Sequence, residues 1–493
     1  MKVRAIIGIT VIGGLFLSLW AKEKPKPPLE EEAILLTPTL SVEARKFAAH
    51  RLGRKGAVDV LVKGLEVNKE SPEVMVEIVK ALNDTRSEQA IPGLTNAFDW
   101  NVAPEVDSAI LEALYNIKPA TVVEPCEKAL GPERPELHKR ASQLLAIVLE
   151  GKKDTSAITA LYKAYKGEKS EEVRFAIVNA IGKIDGPTAV DPLIQALSDP
   201  DSLIRNSSAQ FLGEMKEPKA IQALGRLLSD TTCEGCQKAA AEALWKIADP
   251  KVFPALINGL DNRWTIRRFV FNLLDKSKVK EAIPCLVDSL ASSRKGIVSD
   301  LQEILIHQYN RFGLFVIENM GTKLKKSKDP NLQKIIAELL SNFPYQTEAH
   351  SKVAVDYLGK IISEPESYPD VEARIIISKA IGNIGSAAGY YYLSESLKKE
   401  KESMVRRQDI KSLYQIAIHS PGIKENVVFT LNVYGLGDPD FSVVGEAIRV
   451  LSDLGNKSSL PLLKNIELSQ NYPNWVRVEA RKAINNIEKR IRE

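Results

Sequence analysis

Residues that carry chemistry are scarce in this chain of 493 residues. There are 4 cysteines, and only Cys233 and Cys236 form a Cys-x-x-Cys motif, so the four ligands of a structural zinc site cannot be assembled from thiolates. Histidines number 5. Phosphate-binding glycine loops, a nucleophile elbow and a metalloprotease helix are all missing, which removes the enzyme classes that depend on them. Carboxylates are abundant but fall in turns and on polar faces. The chain is therefore expected not to be an enzyme and to need no cofactor. Aromatic residues make up 6%, too few for cores built on large rings. Charge of one sign is lacking as well: 67 basic residues against 63 acidic ones leave +4, so bulk charge does not point to a nucleic-acid partner, and none is expected.

Long apolar runs are confined to one place. Lys2 and Arg4 precede the uncharged stretch 5–21, the layout of an export signal. Leu19 is large where a signal peptidase prefers a small residue, and seventeen residues is the short limit for a spanning helix, so cleavage after Ala21 and retention as a membrane anchor are both open. Either outcome places the remainder beyond the membrane, in a bacterium the periplasm, soluble or attached to the inner membrane through 5–21. Residues 22–28, rich in Pro and Lys, read as a semi-rigid tether.

The stretch 29–493 is repetitive. Arg174, Arg205, Gln237 and Arg267 are spaced 31, 32 and 30 residues apart, each seven residues before an Ile or Leu that closes the same apolar helix pattern. Extending the register gives Arg45, Met75, Asp107, His138, Arg174, Arg205, Gln237, Arg267, Val298, Gln333, Arg374, Arg406, Val444 and Arg477. Between these slots lies a second amphipathic helix, as in the segments beginning at Ala189, Ala220, Val252 and Ala282, so each unit is a helical hairpin. The expectation is an all-α, right-handed α-solenoid of about fourteen hairpins, irregular around 298–374, where the spacings lengthen to 35 and 41.

At these residues the chain resembles the HEAT repeat family, in particular its bacterial, phycobilisome-lyase-like branch. In that family an acidic turn residue precedes an arginine by about six positions, and the two build a ladder between neighbouring repeats. Asp199 with Arg205, Asp261 with Arg267, Glu168 with Arg174 and Glu400 with Arg406 keep that spacing. The resemblance thus implies a structural ladder of Arg45, Arg174, Arg205, Arg267, Arg374, Arg406 and Arg477, with irregular stacking at Asp107, His138, Val298 and Val444, although His138, standing in the arginine slot, is expected to take over its stacking role. One enzyme class resembles these repeats, the di-iron deoxyhypusine hydroxylase type, which carries paired His-Glu dipeptides. Here His50, His138, His307, His350 and His419 are followed by Arg51, Lys139, Gln308, Ser351 and Ser420, which argues against an iron site.

Several features could contact a partner. The second helices of the hairpins would line a concave surface, projecting Asn206, Gln210, Lys238, Glu242, Arg268 and Asn272, and an extended repeat array exposes much surface for capturing another protein. Tyr390, Tyr391 and Tyr392 cannot all face inward on one helix, so at least one is expected outside. Cys236 occupies the inward slot of Ile204 and Ile266, and an oxidising compartment could close Cys233 to Cys236 as a local staple; Cys126 and Cys285 are expected to be free, buried thiols. A protein-binding scaffold is the favoured reading. A redox or metal-dependent enzyme using Cys233 and Cys236, and an architectural spacer in an envelope assembly, are the alternatives.

Overall fold

The computed structural model describes residues 30–291 and 295–493; the export run and the tether fall outside them. Among the described residues all regular structure is helical, and no helix is long and apolar enough to cross a membrane. The chain divides into two compact units, Met1–Ile247 and Ala248–Glu493.

Each unit contains seven helices that carry the repeat slot. In the first they are α1 (Val42–Arg54), α2 (Pro72–Thr85), α3 (Pro104–Ile117), α4 (His138–Val148), α5 (Glu171–Ile184), α6 (Ser202–Glu214) and α7 (Glu234–Ile247). In the second they are α8 (Trp264–Asp275), α9 (Lys295–Phe312), α10 (Pro330–Ser341), α11 (Val371–Ile384), α12 (Ser403–His419), α13 (Phe441–Leu454) and α14 (Asn474–Arg492). An antiparallel partner helix precedes each, for example Val190–Ala196 before α6 and Glu348–Ile362 before α11.

The register is strict. The slot is the fourth residue of every one of these helices except α4, where His138 is the first and a 3₁₀ turn, Pro135–Leu137, supplies the three positions before it. N-caps set this register: Ser41, Ser170, Asp201 and Asp370 each accept a backbone N–H from the first turn of α1, α5, α6 and α11. A helical side chain leans toward its own N-terminus, so a long residue at the fourth position reaches back over the turn that precedes it.

Packing follows the apolar stripes. Ile204, Cys236 and Ile266 are fully buried at the same position of α6, α7 and α8. Neighbouring helices approach closely through small residues: a Cβ on Gly213 would lie 2.7 Å from the Cα of Ala243. The long spacings around 298–374 are absorbed by the helices as well as the links. α9 runs for 18 residues and meets the Leu314–Lys326 helix through Gly313 alone, at φ 49°, while residues 363–370 form a longer link into α11.

Candidate functional site

The arginine ladder is built, with a different wiring from the one that sequence spacing implies. Arg374 donates from Nε and Nη2 to the two carboxylate oxygens of Glu400, at 2.8 and 3.1 Å, and from Nη1 to the Tyr368 carbonyl at 2.8 Å. Glu400 does not turn its carboxylate to Arg406, six residues on; it gives Arg406 its backbone carbonyl, at 3.0 Å. Arg406 then grips Asp438 at 2.7 and 2.9 Å. Arg174 and Asp199 repeat the pattern at 2.9 and 3.1 Å, and the Asp199 carbonyl accepts from Arg205 at 2.8 Å. Asp199 and Glu400 therefore each bind the arginine of the preceding hairpin by the side chain and that of their own hairpin by the backbone.

The turn also satisfies the acid's remaining lone pairs. Asp199, Glu400 and Asp438 each accept the backbone N–H two residues on, at 2.8, 3.0 and 2.8 Å. Burial works to raise the Asp199 carboxyl, but Arg174, the Tyr165 hydroxyl and the Asp201 N–H together hold it below the usual aspartate range.

Other rungs use substitutes. Arg45 bonds neutral partners, Asn68 at 2.6 Å and Ser71 at 3.2 Å. Arg205 reaches Asp230 only at 3.8 Å, and Arg267 takes Asp300 on α9 and the Gly296 carbonyl. Arg477, expected in the ladder, leaves its buried Nε without a hydrogen bond. Gln333 keeps the carbonyl half alone, donating to Ser327 at 2.9 Å. His138, expected to take over the arginine's stacking role, is a working rung: its ring nitrogens meet Glu168 at 3.1 Å and the Gly131 carbonyl at 3.0 Å. Asp107 is a rung with the charges exchanged. It stands in the arginine slot, and Arg134, from the next turn, approaches it at 3.4 Å. Its Oδ1 is buried with no partner, and burial pushes the carboxyl up to about 6 despite the arginine.

Cys233 and Cys236 are joined by a disulfide, with Cα atoms 5.2 Å apart, and Cys236 is fully buried. Cys126 is a buried free thiol, whereas Cys285, expected to be buried, is half-buried because it sits on the margin of its helix's inward stripe. Of the three tyrosines, Tyr391 is exposed; Tyr390 bonds Thr430 at 2.9 Å, and Tyr392 packs on Gly359 and donates to Asp356 at 3.2 Å. Among the residues expected to project, Gln210, Lys238, Glu242, Arg268 and Asn272 are exposed, while Asn206 is drawn into stacking by donating to the Gly235 carbonyl at 3.2 Å.

The five histidines are dispersed, His138 in the ladder, His307 on Asp275 at 2.7 Å and His350 on the Tyr309 hydroxyl at 3.1 Å. Among the described residues no group of three or more His, Cys, Asp and Glu is placed to hold a metal ion, so the donor set of an iron site does not fit these residues.

Grooves in the first unit escaped the sequence. One, of about 980 Å³, lies beside the His138–Glu168 rung, between Leu130, Pro132 and Pro135 on one side and Thr155, Thr159 and Lys163 on the other. The second, of about 410 Å³, crosses α4, α5 and α6 and is lined by Lys139, Gln143, Phe175, Asn179 and Leu203. Phe175 and Leu203 are 39% and 66% exposed, at positions next to and two before the slot. Their signal was present as apolar residues on the outward side of an otherwise regular stripe.

Stacked helical hairpins tied by buried rungs define an all-α repeat solenoid. Residues 158–245 match the family model for HEAT repeats, and the chain carries HEAT repeats there. Deoxyhypusine hydroxylase of Drosophila melanogaster is 32% identical over 174 residues, covering 32% of this chain and 57% of that protein. The alpha subunit of a phycocyanobilin lyase from a Picosynechococcus species is 37% identical over 82 residues, covering 15% and 31%. The chain thus spans about half the length of the first relative and less of the second. Among solved structures, human deoxyhypusine hydroxylase gives a TM-score of 0.23 at 19% identity, covering 55% of this chain and 98% of that one. Kap95p, solved with RanGDP, gives 0.33 at 14% identity, covering 94% and 80%. Relatives therefore include an enzyme.

Proposed function

We propose that this chain is a non-enzymatic scaffold that captures another protein along its slot-bearing helices. The observation that carries this reading is the groove across α4, α5 and α6, where Phe175 and Leu203 stand exposed among Lys139, Gln143 and Asn179. Apolar anchors surrounded by polar side chains are the usual anatomy of a protein interface, and the same outward positions of α12 and α14 carry exposed Met404 and Trp475. The dispersed histidines and the buried Cys236 support a scaffold over a redox or metal enzyme.

Export is part of the proposal, resting on Lys2, Arg4 and the uncharged run 5–21; fractionation of the native cell tests it. The scaffold reading is tested by proximity crosslinking of the full chain in its native cell, followed by mass spectrometry. Capture should drop on Phe175→Ala with Leu203→Ala at unchanged helicity, and survive Cys233→Ala with Cys236→Ala. Capture lost only with the cysteines would overturn the scaffold reading in favour of redox chemistry.

A further inference from the structure

The outward face of α12, α13 and α14 gathers positive charge around one carboxylate. Glu446 of α13 is 8% exposed, and three cations converge on it: Arg449 at 3.5 Å, Arg407 at 3.6 Å and Lys411 at 3.9 Å. One carboxylate cannot neutralise three cations, so the cluster keeps an excess of two positive charges. None of these approaches is a close, aligned bond. Arg407 Nε is buried without an acceptor, and so is Glu446 Oε2 without a donor. The three basic side chains stay 38–56% exposed.

An aromatic wall adjoins the cluster. The indole of Trp475 lies over Gly445, the residue before Glu446, so closely that a Cβ there would fall 2.5 Å from the ring; the indole is still 45% exposed. The chain as a whole is nearly neutral at +4 among 493 residues, so this excess is local.

We propose that this face binds an acidic, extended segment of the protein partner, with carboxylates meeting Arg407, Lys411 and Arg449 and an apolar side chain resting on Trp475. The inference rests on the protein-binding reading and adds the chemistry of the partner. Guanidinium groups match carboxylates in bidentate geometry, and an indole offers area at small entropic cost. Charge complementarity selects the occupant: an acidic segment would supply the acceptors that the cluster lacks.

The test is fluorescence anisotropy of the full chain with a labelled peptide of about twelve residues alternating glutamate and leucine, against the same peptide with glutamine for glutamate, at about 50 mM and about 300 mM salt. Saturable binding of the glutamate peptide is expected, weakened about tenfold by the glutamine exchange, by higher salt, and by Arg407→Gln with Arg449→Gln. Arg449 is exposed and Arg407 half-buried, and circular dichroism checks that the variant folds; Trp475→Ala is the second variant and should weaken binding without changing its salt dependence. Equal binding of both peptides, no binding, or binding indifferent to the arginine variant would overturn the inference. So would tighter binding of a duplex DNA probe at the same residues, which would make the occupant a nucleic acid. Should crosslinking still capture a protein at Phe175 and Leu203 in any of these cases, only the acidic-segment inference fails and the scaffold reading stands.

Discussion

The rungs at Arg374 and Asp107 use the same two charges in opposite places. At Arg374 the cation sits in the helix and the acid in the turn, and both are nearly buried, at 5% and 2% side-chain exposure. The carboxylate takes two guanidinium donors and the N–H of Glu402, and the guanidinium takes the Tyr368 carbonyl besides. At Asp107 the acid sits in the first turn of the helix, and Arg134 comes from the turn. Arg134 finds acceptors in Asn101 and the Phe98 carbonyl, but Asp107 Oδ1 finds no donor. The ladder's polarity shows in the donors each acid finds: the turn acids Asp199, Glu400 and Asp438 each add the backbone N–H two residues on to their arginine, whereas Asp107 leaves Oδ1 without a donor.

Breaking the well-wired rung should have the largest effect. Arg374→Ala strands the buried Glu400 carboxylate and is expected to cost about 3–5 kcal/mol in chemical denaturation of the second unit. Gly213→Val controls for packing without charge: its side chain would meet the Ala243 backbone, and a loss of about 1–3 kcal/mol in the first unit is expected. Asp107→Asn should move the other way. The folded carboxyl titrates near 6 and the unfolded one near 3.8, so ionisation opposes folding, and the stability associated with Asp107 falls as pH rises from about 4 to 6. Asparagine should therefore raise the melting temperature above pH 6, equivalent to about 1–2 kcal/mol, and change little at pH 4; a gain that did not depend on pH would refute this account. Lys139→Ala, which removes an exposed pair with Glu172, should change stability by less than about 0.5 kcal/mol.

The slots were legible because they recur on a fixed period, and all fourteen land on helices, thirteen of them at the fourth residue. The disposition of the tyrosines was half legible: three consecutive rings force one outward, but only coordinates say that it is Tyr391. The wiring was not legible. A spacing of six residues joins Glu400 to Arg406, and nothing in the sequence distinguishes a side-chain bond to Arg406 from a backbone bond to Arg406 and a side-chain bond to Arg374. The exchanged rung was hidden too, since Arg134 lies off the slot period. The cation cluster on Glu446 draws Arg407, Lys411 and Arg449 from two helices 30 to 40 residues apart, and the grooves depend on how far apart neighbouring hairpins stand; neither leaves a periodic trace.

The covalent repeat and the energetic repeat are out of phase. A hairpin cut out at its ends would carry its arginine but leave behind the acid that holds it, and would bring an acid whose arginine stayed with the preceding hairpin. Grafts and deletions in this chain should be joined just after a turn acid, for example between Glu400 and the start of α12, so that every guanidinium travels with its own carboxylate.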